Sequence, residues 1–186
     1  KVTYARVRVT DASQGWEGRG GANIGEELIL AEDLLADVLR HQIEIIATFP
    51  GSELVGKAYE PLFPDAVDRD GSETAWTVVG ADFVTTTDGT GVVHTAVMYG
   101  EDDYILGMEV GFPAQHTVDM DGRFFPGTHN SLDGRYVKDC DDDIIDLLHY
   151  DNQLYREKMY VHDYPHCWRT GHPLLYYARD TWFVRM

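Results

Sequence analysis

The stretch Tyr4-Ala5-Arg6-Val7-Arg8-Val9 is the part of the sequence that most directly indicates the fold. Its apolar and charged residues alternate, and this two-residue period is typical of a β-strand with one buried and one exposed face. A second β-branched stretch, Ile43 to Phe49, has the length of a strand and ends at the turn-forming pair Pro50-Gly51. Between the two, apolar residues recur at helical spacing from Leu30 to Leu39, which predicts an amphipathic helix.

Further short strands are predicted towards the middle and the end of the chain. The pair Asp88-Gly89 lies between two of them and is typical of a hairpin turn. Helices are predicted from Glu101 to about Val110, stopped by Gly111, and from the acidic stretch that begins at Asp139. The predicted strands are 26–30, 76–84, 91–98, 157–164 and 174–184, with a hairpin at 118–125. Because short strands outnumber helices and do not alternate regularly with them, we predict an α+β fold with a barrel-like antiparallel or mixed sheet and a few flanking helices.

Composition limits the classes of function. The chain has 186 residues, which is enough for one domain with a sizeable core, and we predict a single domain over residues 1–186. Its formal net charge of -17 repels phosphate and anionic lipid, so the chain alone is expected to bind nucleic acid poorly. Apolar runs are strand-sized, so no membrane span is expected. Two cysteines and the lack of a signal peptide indicate a reducing compartment, by default the cytoplasm, and the opening without Met indicates a piece of something longer.

Residues 10–25 contain five glycines and follow neither period, which indicates a long, mobile hairpin loop. A phosphate-cradling loop is the alternative interpretation of these glycines. That interpretation is weak, because Asn23 occupies the last glycine position of the G-x-G-x-x-G pattern and no apolar helix follows at once.

The densest polar region runs from Thr85 to Asp103 and contains the candidate site residues. In the predicted strand, His94 shares its face with Val92, Ala96 and Met98. A lone histidine on such a face is more often a satisfied core residue than a functional one. Similarly, acids at a helix start are usually capping residues, although three successive acids exceed what capping requires. A tight glycine turn between strand end and helix start would allow His94 and one acid to lie on the same rim.

These residues carry a family resemblance. Gly89-Thr90-Gly91-Val92-Val93-His94 and Gly100-Glu101-Asp102-Asp103-Tyr104 resemble the GTGIVH and GEDD signatures of the editing insertion of isoleucyl-tRNA synthetases, class I aminoacyl-tRNA synthetases. The histidine after Gly-Val-Val distinguishes them from the valyl and leucyl enzymes. Other matching segments, in the family's order, are 27–32, 49–54, 59–63, 164–169 and 173–178.

The resemblance implies proofreading, the hydrolysis of valine wrongly esterified to tRNA(Ile) and also of valyl-adenylate. It implies catalytic roles for Asp103, which would hold the substrate ammonium, and His94, which would line the side-chain pocket. Their neighbours Thr90, Gly91, Thr95 and Asp102 are then expected to bind substrate. Water would be the nucleophile, oriented beside groups that stabilise the oxyanion, without a metal or a covalent intermediate.

The resemblance also implies partners: the tRNA(Ile) acceptor end and the remainder of the synthetase, to which about 165–186 would return. We expect a monomer. ATP and Mg²⁺ would serve the synthetase body and no cofactor would serve this domain. Small basic groups, Arg123 with Arg135 and Lys138, or Arg6 with Arg8 and Arg19, are the candidates for phosphate contact.

Two departures from the family pattern leave alternatives open. A Thr-rich element that normally precedes the segment matching Lys1 to Val9 is absent, so the alternative function is a folded but catalytically incomplete module that binds the tRNA acceptor end. The second departure is that Thr170 follows Cys167-Trp168-Arg169 where the family often has a cysteine of a zinc knuckle. We expect no zinc, because a structural zinc needs four ligands. A metal-dependent hydrolase that uses the scattered histidines ranks last.

Overall fold

The computed structural model describes residues 1–11, 19–68, 72–182 and 184. These residues confirm the α+β class, with three strands and helices of both the α and the 3-10 type. The strands are β1 (Thr3–Asp11), β2 (Glu27–Ala31) and β3 (Gln42–Pro50). The α-helices are α1 (Leu35–Val38), α2 (Glu101–Val110) and α3 (Asp141–Tyr150), and the 3-10 helices are Glu32–Leu34, Gly51–Glu53 and Val137–Asp139.

The chain falls into two compact units, each built from three separate stretches of sequence. Unit 1 consists of Lys1–Leu62, Trp76–His94 and Lys138–Met159. Unit 2 consists of Phe63–Ala75, Thr95–Val137 and Tyr160–Met186. The single domain over residues 1–186 stays a prediction.

The sheet of unit 1 has the order β2-β1-β3, and both pairings are antiparallel. The alternation in β1 is confirmed, because Val7 and Val9 are buried whereas Arg6 and Arg8 are exposed. The hairpin that joins β1 to β2 is confirmed as well. Of its predicted loop, residues 10 and 11 belong to β1 and residues 12–18 lie outside the described part of the chain.

Apolar clusters lie on both faces of β1. Ala5 and Val7 pack with Leu30 and Leu39 on one face. Tyr4 belongs to the opposite face, because side chains alternate along a strand, and there it packs with Ala31, Leu34 and Leu54. The face that carries the exposed arginines therefore becomes a buried core at its Tyr4 end.

Several strand predictions are wrong. In the described residues the sheet is open, with β2 and β3 as edges, and not closed as a barrel. Residues 76–84, 91–98, 157–164 and 174–184 contain no regular strand among those described, and an isolated bridge such as Val118↔Phe124 marks the predicted 118–125 hairpin. β-Branched residues favour extended backbone, but a strand also needs a neighbour whose N–H and C=O groups complete its ladder. The synthetase editing-domain fold stays a prediction.

Helices were predicted more accurately. Helix α2 begins at Glu101 and ends before Gly111, which adopts the left-handed conformation at φ 77°. Helix α3 begins with the predicted acids Asp141, Asp142 and Asp143. The helix predicted between Leu30 and Leu39 is shorter than expected, because residues 27–31 pair with β1 before the backbone turns helical at Glu32.

Candidate functional site

The six predicted site residues lie in two separate segments. Thr90, Gly91 and His94 are at the end of a stretch of unit 1, whereas Thr95, Asp102 and Asp103 are in unit 2. Each segment has its own supports. That His94 and Asp103 share one rim stays a prediction.

Two consecutive backbone carbonyls fix the Thr90–His94 segment to the sheet. The backbone N–H of Ala31, the last residue of β2, donates to the Thr90 carbonyl oxygen at 2.8 Å. The Tyr4 hydroxyl of β1 donates to the Gly91 carbonyl oxygen at 2.6 Å. Ala31 and Tyr4 also oppose each other in the β1–β2 ladder. The segment is therefore held at one point by two neighbouring strands.

Gly91 is required by this close approach. Its φ is +76°, in the left-handed region where a side chain costs free energy, and a Cβ atom there would lie 2.7 Å from the Ala31 Cβ. Locally, the Thr90 hydroxyl donates to the Val92 carbonyl at 3.1 Å and accepts from the Val92 N–H at 3.3 Å. Thr90 thus shapes the turn in which Gly91 meets the sheet.

His94 is exposed and lies in irregular backbone. The placement on an apolar strand face is therefore wrong, and so is the alternative of a satisfied core histidine. Its neighbours Val92 and Val93 are also about half exposed, at 50% and 54%. An exposed imidazole next to a firmly anchored turn is available to contact a ligand.

The second segment is the beginning of α2. Gly100 is the N-cap residue in extended backbone, and its carbonyl accepts the first helical hydrogen bond from the Tyr104 N–H at 2.9 Å. Glu101, Asp102 and Asp103 fill the first turn, where the helix dipole stabilises negative charge. The N-cap residue is a glycine, so it has no side chain with which to cap the helix, and the charge at this helix start comes from the three acids.

Asp103 differs from its two neighbours in exposure and in contact. Glu101 and Asp102 are exposed, whereas Asp103 and Thr95 are half-buried. The Asp103 carboxylate lies over Gly100, where a Cβ atom would be 2.6 Å from Oδ2. Glycine at position 100 is therefore what leaves room for this carboxylate.

Helix α2 is seated by a second glycine. A Cβ atom on Gly107 would lie 2.7 Å and 2.8 Å from the two methyl groups of Val97, so the helix backbone packs directly on that side chain. Val97 is 9% exposed and belongs to the buried core. The orientation of the helix, and with it that of Asp103, depends on this contact.

Unit 2 contains a cleft at the start of α2. Its volume is about 740 Å³. Met98 and Tyr177 line it beside His116, whose ring stacks on Tyr177 with centroids 4.0 Å apart. No local pattern indicated this cleft, because its walls come from parts of the sequence far from each other. The remaining lining residues are Tyr99, Gly100, Glu101, Tyr104, Met120, Tyr176, Ala178, Arg179 and Asp180.

The basic residues proposed to contact phosphate have other partners. Arg8 pairs with Glu27 at 2.7 Å, and Arg19 pairs with Asp146 at 2.6 Å and with Glu157 at 3.0 Å. In unit 2, the guanidinium groups of Arg123 and Arg135 donate to the carbonyls of Gly134 and Ser131. Acidic side chains next to the arginines of unit 1 weaken the attraction of phosphate to that surface.

Among the described residues, no three His, Cys, Asp or Glu side chains lie close enough together to hold a metal ion. Cys140 is buried, and the Thr170 hydroxyl lowers the pKa of Cys167 by hydrogen bonding to its sulfur. The expectation of no zinc stays a prediction. Within the part of the chain that the structure describes, every helix is too short or too polar to cross a bilayer.

Comparison with known proteins places these segments in a family. No protein-family model matches the chain. It is 45% identical to isoleucine–tRNA ligase of Clostridium novyi over 87% of its length, and 44% identical to that of Clostridium acetobutylicum over 88%. It is 41% identical to isoleucine–tRNA ligase of Corynebacterium efficiens over 100% of its length, so that alignment includes both segments. The chain belongs to the isoleucine–tRNA ligase family.

The chain spans only 15% to 17% of the length of these ligases. Family membership confirms the resemblance on which Asp103 and His94 were chosen. Both segments that carry the predicted site residues lie within the part of the ligase that this chain represents.

Proposed function

We propose that the chain is the editing region of an isoleucine–tRNA ligase and hydrolyses valine wrongly attached to tRNA(Ile). Water attacks the ester carbonyl carbon, and the bond to the ribose oxygen breaks. The products are free valine and a tRNA whose terminal ribose hydroxyl is free. Valyl-adenylate, an acyl phosphate with the same aminoacyl group, is proposed as a second substrate. The observation that carries the proposal is the 41% identity to the Corynebacterium efficiens ligase over the whole chain, both motif segments included.

A ligase for isoleucine needs such a reaction. Valine differs from isoleucine by one methylene group, which contributes only about 1–3 kcal/mol of discrimination in an apolar pocket, and the isoleucyl enzyme is the standard example of this limit. A second site that destroys the smaller product raises accuracy beyond what binding supplies.

Asp103 is proposed to bind the α-ammonium group of the aminoacyl ester. A charged ammonium that leaves water needs a carboxylate partner, and a charge-assisted hydrogen bond is stronger than a neutral one. The position of Asp103 supports this role, because the carboxylate is half-buried, lies in the first turn of α2 and has room over Gly100. Asp102 and Thr95 are proposed to support substrate binding beside it.

His94 is proposed to line the pocket for the substrate side chain and to exclude isoleucine. Its segment is anchored through Thr90 and Gly91 to two strands, which suits a wall that must reject one extra methylene group. The hydrolysis is proposed to need no cofactor. The remainder of the ligase is proposed to use ATP and Mg²⁺ and to supply most of the affinity for tRNA. The whole enzyme is proposed to be a monomer in the cytoplasm.

The test compares matched aspartates in full-length ligase that carries this sequence. Asp103→Ala should slow hydrolysis of preformed valyl-tRNA(Ile) about 10- to 100-fold, as expected for the loss of a hydrogen bond to a charged group. Asp143→Ala is the control, because Asp143 is likewise the third of three acids in the first turn of a helix, α3. Release of labelled valine is measured in single turnover. Equal rates in the two variants would remove the proposed role of Asp103.

A further inference from the structure

Tyr4 places a hydroxyl group at the buried end of the face of β1 that also carries the exposed arginines. The side chain is 8% exposed and packs with Ala31, Leu34 and Leu54. Phenylalanine would fill nearly the same volume without placing a polar group in this core. A buried hydroxyl costs free energy unless it is hydrogen-bonded. The bond to the Gly91 carbonyl offsets that cost, so this contact is the reason to have tyrosine here.

The ring of Tyr4 is itself held in one position. On its edge lies Gly51, where a Cβ atom would be 2.7 Å from the ring carbon Cε2. Gly51 is fixed in turn, because its N–H donates to the Val2 carbonyl at 3.0 Å. The hydroxyl therefore points from a rigid ring and determines where the Gly91 carbonyl can lie.

This contact acts on the segment that carries His94. Gly91 precedes His94 by three residues, and its carbonyl is the last point at which a sheet residue holds the segment by a hydrogen bond among those described. If the hydroxyl were lost, the Ala31 N–H would still hold Thr90, and the backbone after Gly91 would gain freedom. The segment would remain attached but with a less defined path to His94.

On the basis of the proposed function, we infer that Tyr4 is a positioning residue for discrimination between valyl and isoleucyl esters. Its hydroxyl fixes the Gly91 carbonyl, and the fixed backbone keeps the imidazole of His94 in the place that excludes isoleucine. Tyr4 touches no substrate in this account and acts through the backbone.

The experiment measures the ratio of two rates. Tyr4→Phe is introduced into the full-length ligase that carries this sequence, and hydrolysis of preformed valyl-tRNA(Ile) and isoleucyl-tRNA(Ile) is followed in single turnover. The ratio of valyl to isoleucyl hydrolysis should fall about three- to tenfold, the equivalent of one hydrogen bond. A fraction of unfolded enzyme lowers both rates equally and leaves the ratio unchanged. Tyr150→Phe, at an 84% exposed tyrosine of unit 1, is the matched control and should keep the wild-type ratio.

A second pair of variants separates this inference from the proposed function. His94→Ala should also lower the ratio, and adding Tyr4→Phe to it should lower the ratio no further, because both changes act at the same wall. If His94→Ala lowers the ratio and Tyr4→Phe leaves it unchanged, the role of Tyr4 is overturned while the proposed function stands. If the wild-type ligase does not hydrolyse the valyl ester, or His94→Ala leaves the ratio unchanged, the proposed function fails at its own step and the inference falls with it.

Discussion

The Thr90–His94 segment and the first turn of α2 carry the proposed site residues, and each segment is held by a different kind of contact. The segment depends on partners far away in the sequence, since Tyr4 and Gly91 are 87 residues apart. The helix start depends on partners close by, because Gly100, Asp103 and Tyr104 contact one another within a single turn. The residues proposed to select among substrates are thus held by the sheet, whereas the carboxylate proposed to bind the ammonium group lies at the start of its own helix.

The difference explains what each part can tolerate. Asp103 lies in a regular helix, and a single change leaves most of the hydrogen bonds of that helix in place. The Thr90–His94 segment has one backbone bond and one side-chain bond to the sheet, so the loss of either is felt at once. Substitutions that remove one of these contacts at a time can therefore test whether the two segments are held in different ways.

The largest effect on stability is expected at Gly91. Gly91→Ala should lower the free energy of unfolding by about 3 kcal/mol, from about 1–2 kcal/mol of left-handed backbone strain and the rest from overpacking against Ala31. Gly89→Ala is the control, because Gly89 has nearly the same φ of +74° but nothing within 4 Å of a Cβ atom. It should cost only the strain. Urea unfolding measures both, and equal losses would show that the contact with Ala31 is unimportant.

A smaller loss of stability is expected where Gly107 of α2 packs on Val97. Gly107→Val should lower the free energy of unfolding by about 2 kcal/mol, because the new methyl groups collide with Val97 and the side chains there are stiff. Glu109→Val, at an exposed position of the same helix, brings the same side chain without the collision and should cost less than about 1 kcal/mol. An unchanged Gly107→Val protein would mean that helix and core adjust freely, and that α2 is not seated as described.

The hydrogen bond between Tyr4 and Gly91 should make a pH-dependent contribution to the free energy of unfolding. Tyr4→Phe should lower the free energy of unfolding by about 1 kcal/mol at neutral pH. Burial raises the pKa of Tyr4 above its ordinary value of 10.0. A raised folded pKa stabilises the protein fully below the unfolded pKa, and this contribution is lost as pH rises through the folded pKa. The difference between wild type and Tyr4→Phe should therefore shrink above pH 10, and a difference that grows there would contradict the buried, hydrogen-bonded hydroxyl.

The smallest effect is expected at the other end of the same strand face. Glu27 pairs with Arg8 at 2.7 Å and with Arg6 at 3.7 Å, and all three side chains are more than a third exposed. Glu27→Gln should cost less than about 1 kcal/mol, and the cost should fall further in high salt. A loss as large as that of Tyr4→Phe would show that the exposed end of the face contributes as much as its buried end.

The same comparison explains which features could be predicted from sequence. Helix α2 was predicted with its boundaries, because three successive acids mark its start and Gly111 marks its end in the sequence itself. The alternation of β1 likewise carries its own signal. The backbone of 91–98 was predicted wrongly as a strand. Its first residue, Gly91, is held by the distant Tyr4 hydroxyl, and no local pattern reveals such a partner. Asp103 and His94 were chosen by resemblance to a family, and the glycine at 100 that makes room for Asp103 was visible as a residue but not as a contact.

The most direct test of the proposed ammonium contact removes the ammonium group itself. Full-length ligase and its Asp103→Ala variant are compared on valyl-tRNA(Ile) and on the ester in which a hydroxyl replaces the α-amino group. If Asp103 binds the ammonium, the variant should be slower about 10- to 100-fold on the valyl ester and equal to wild type on the hydroxy ester. The same loss on both esters would contradict the account, because Asp103 would then act on something other than the charged amine.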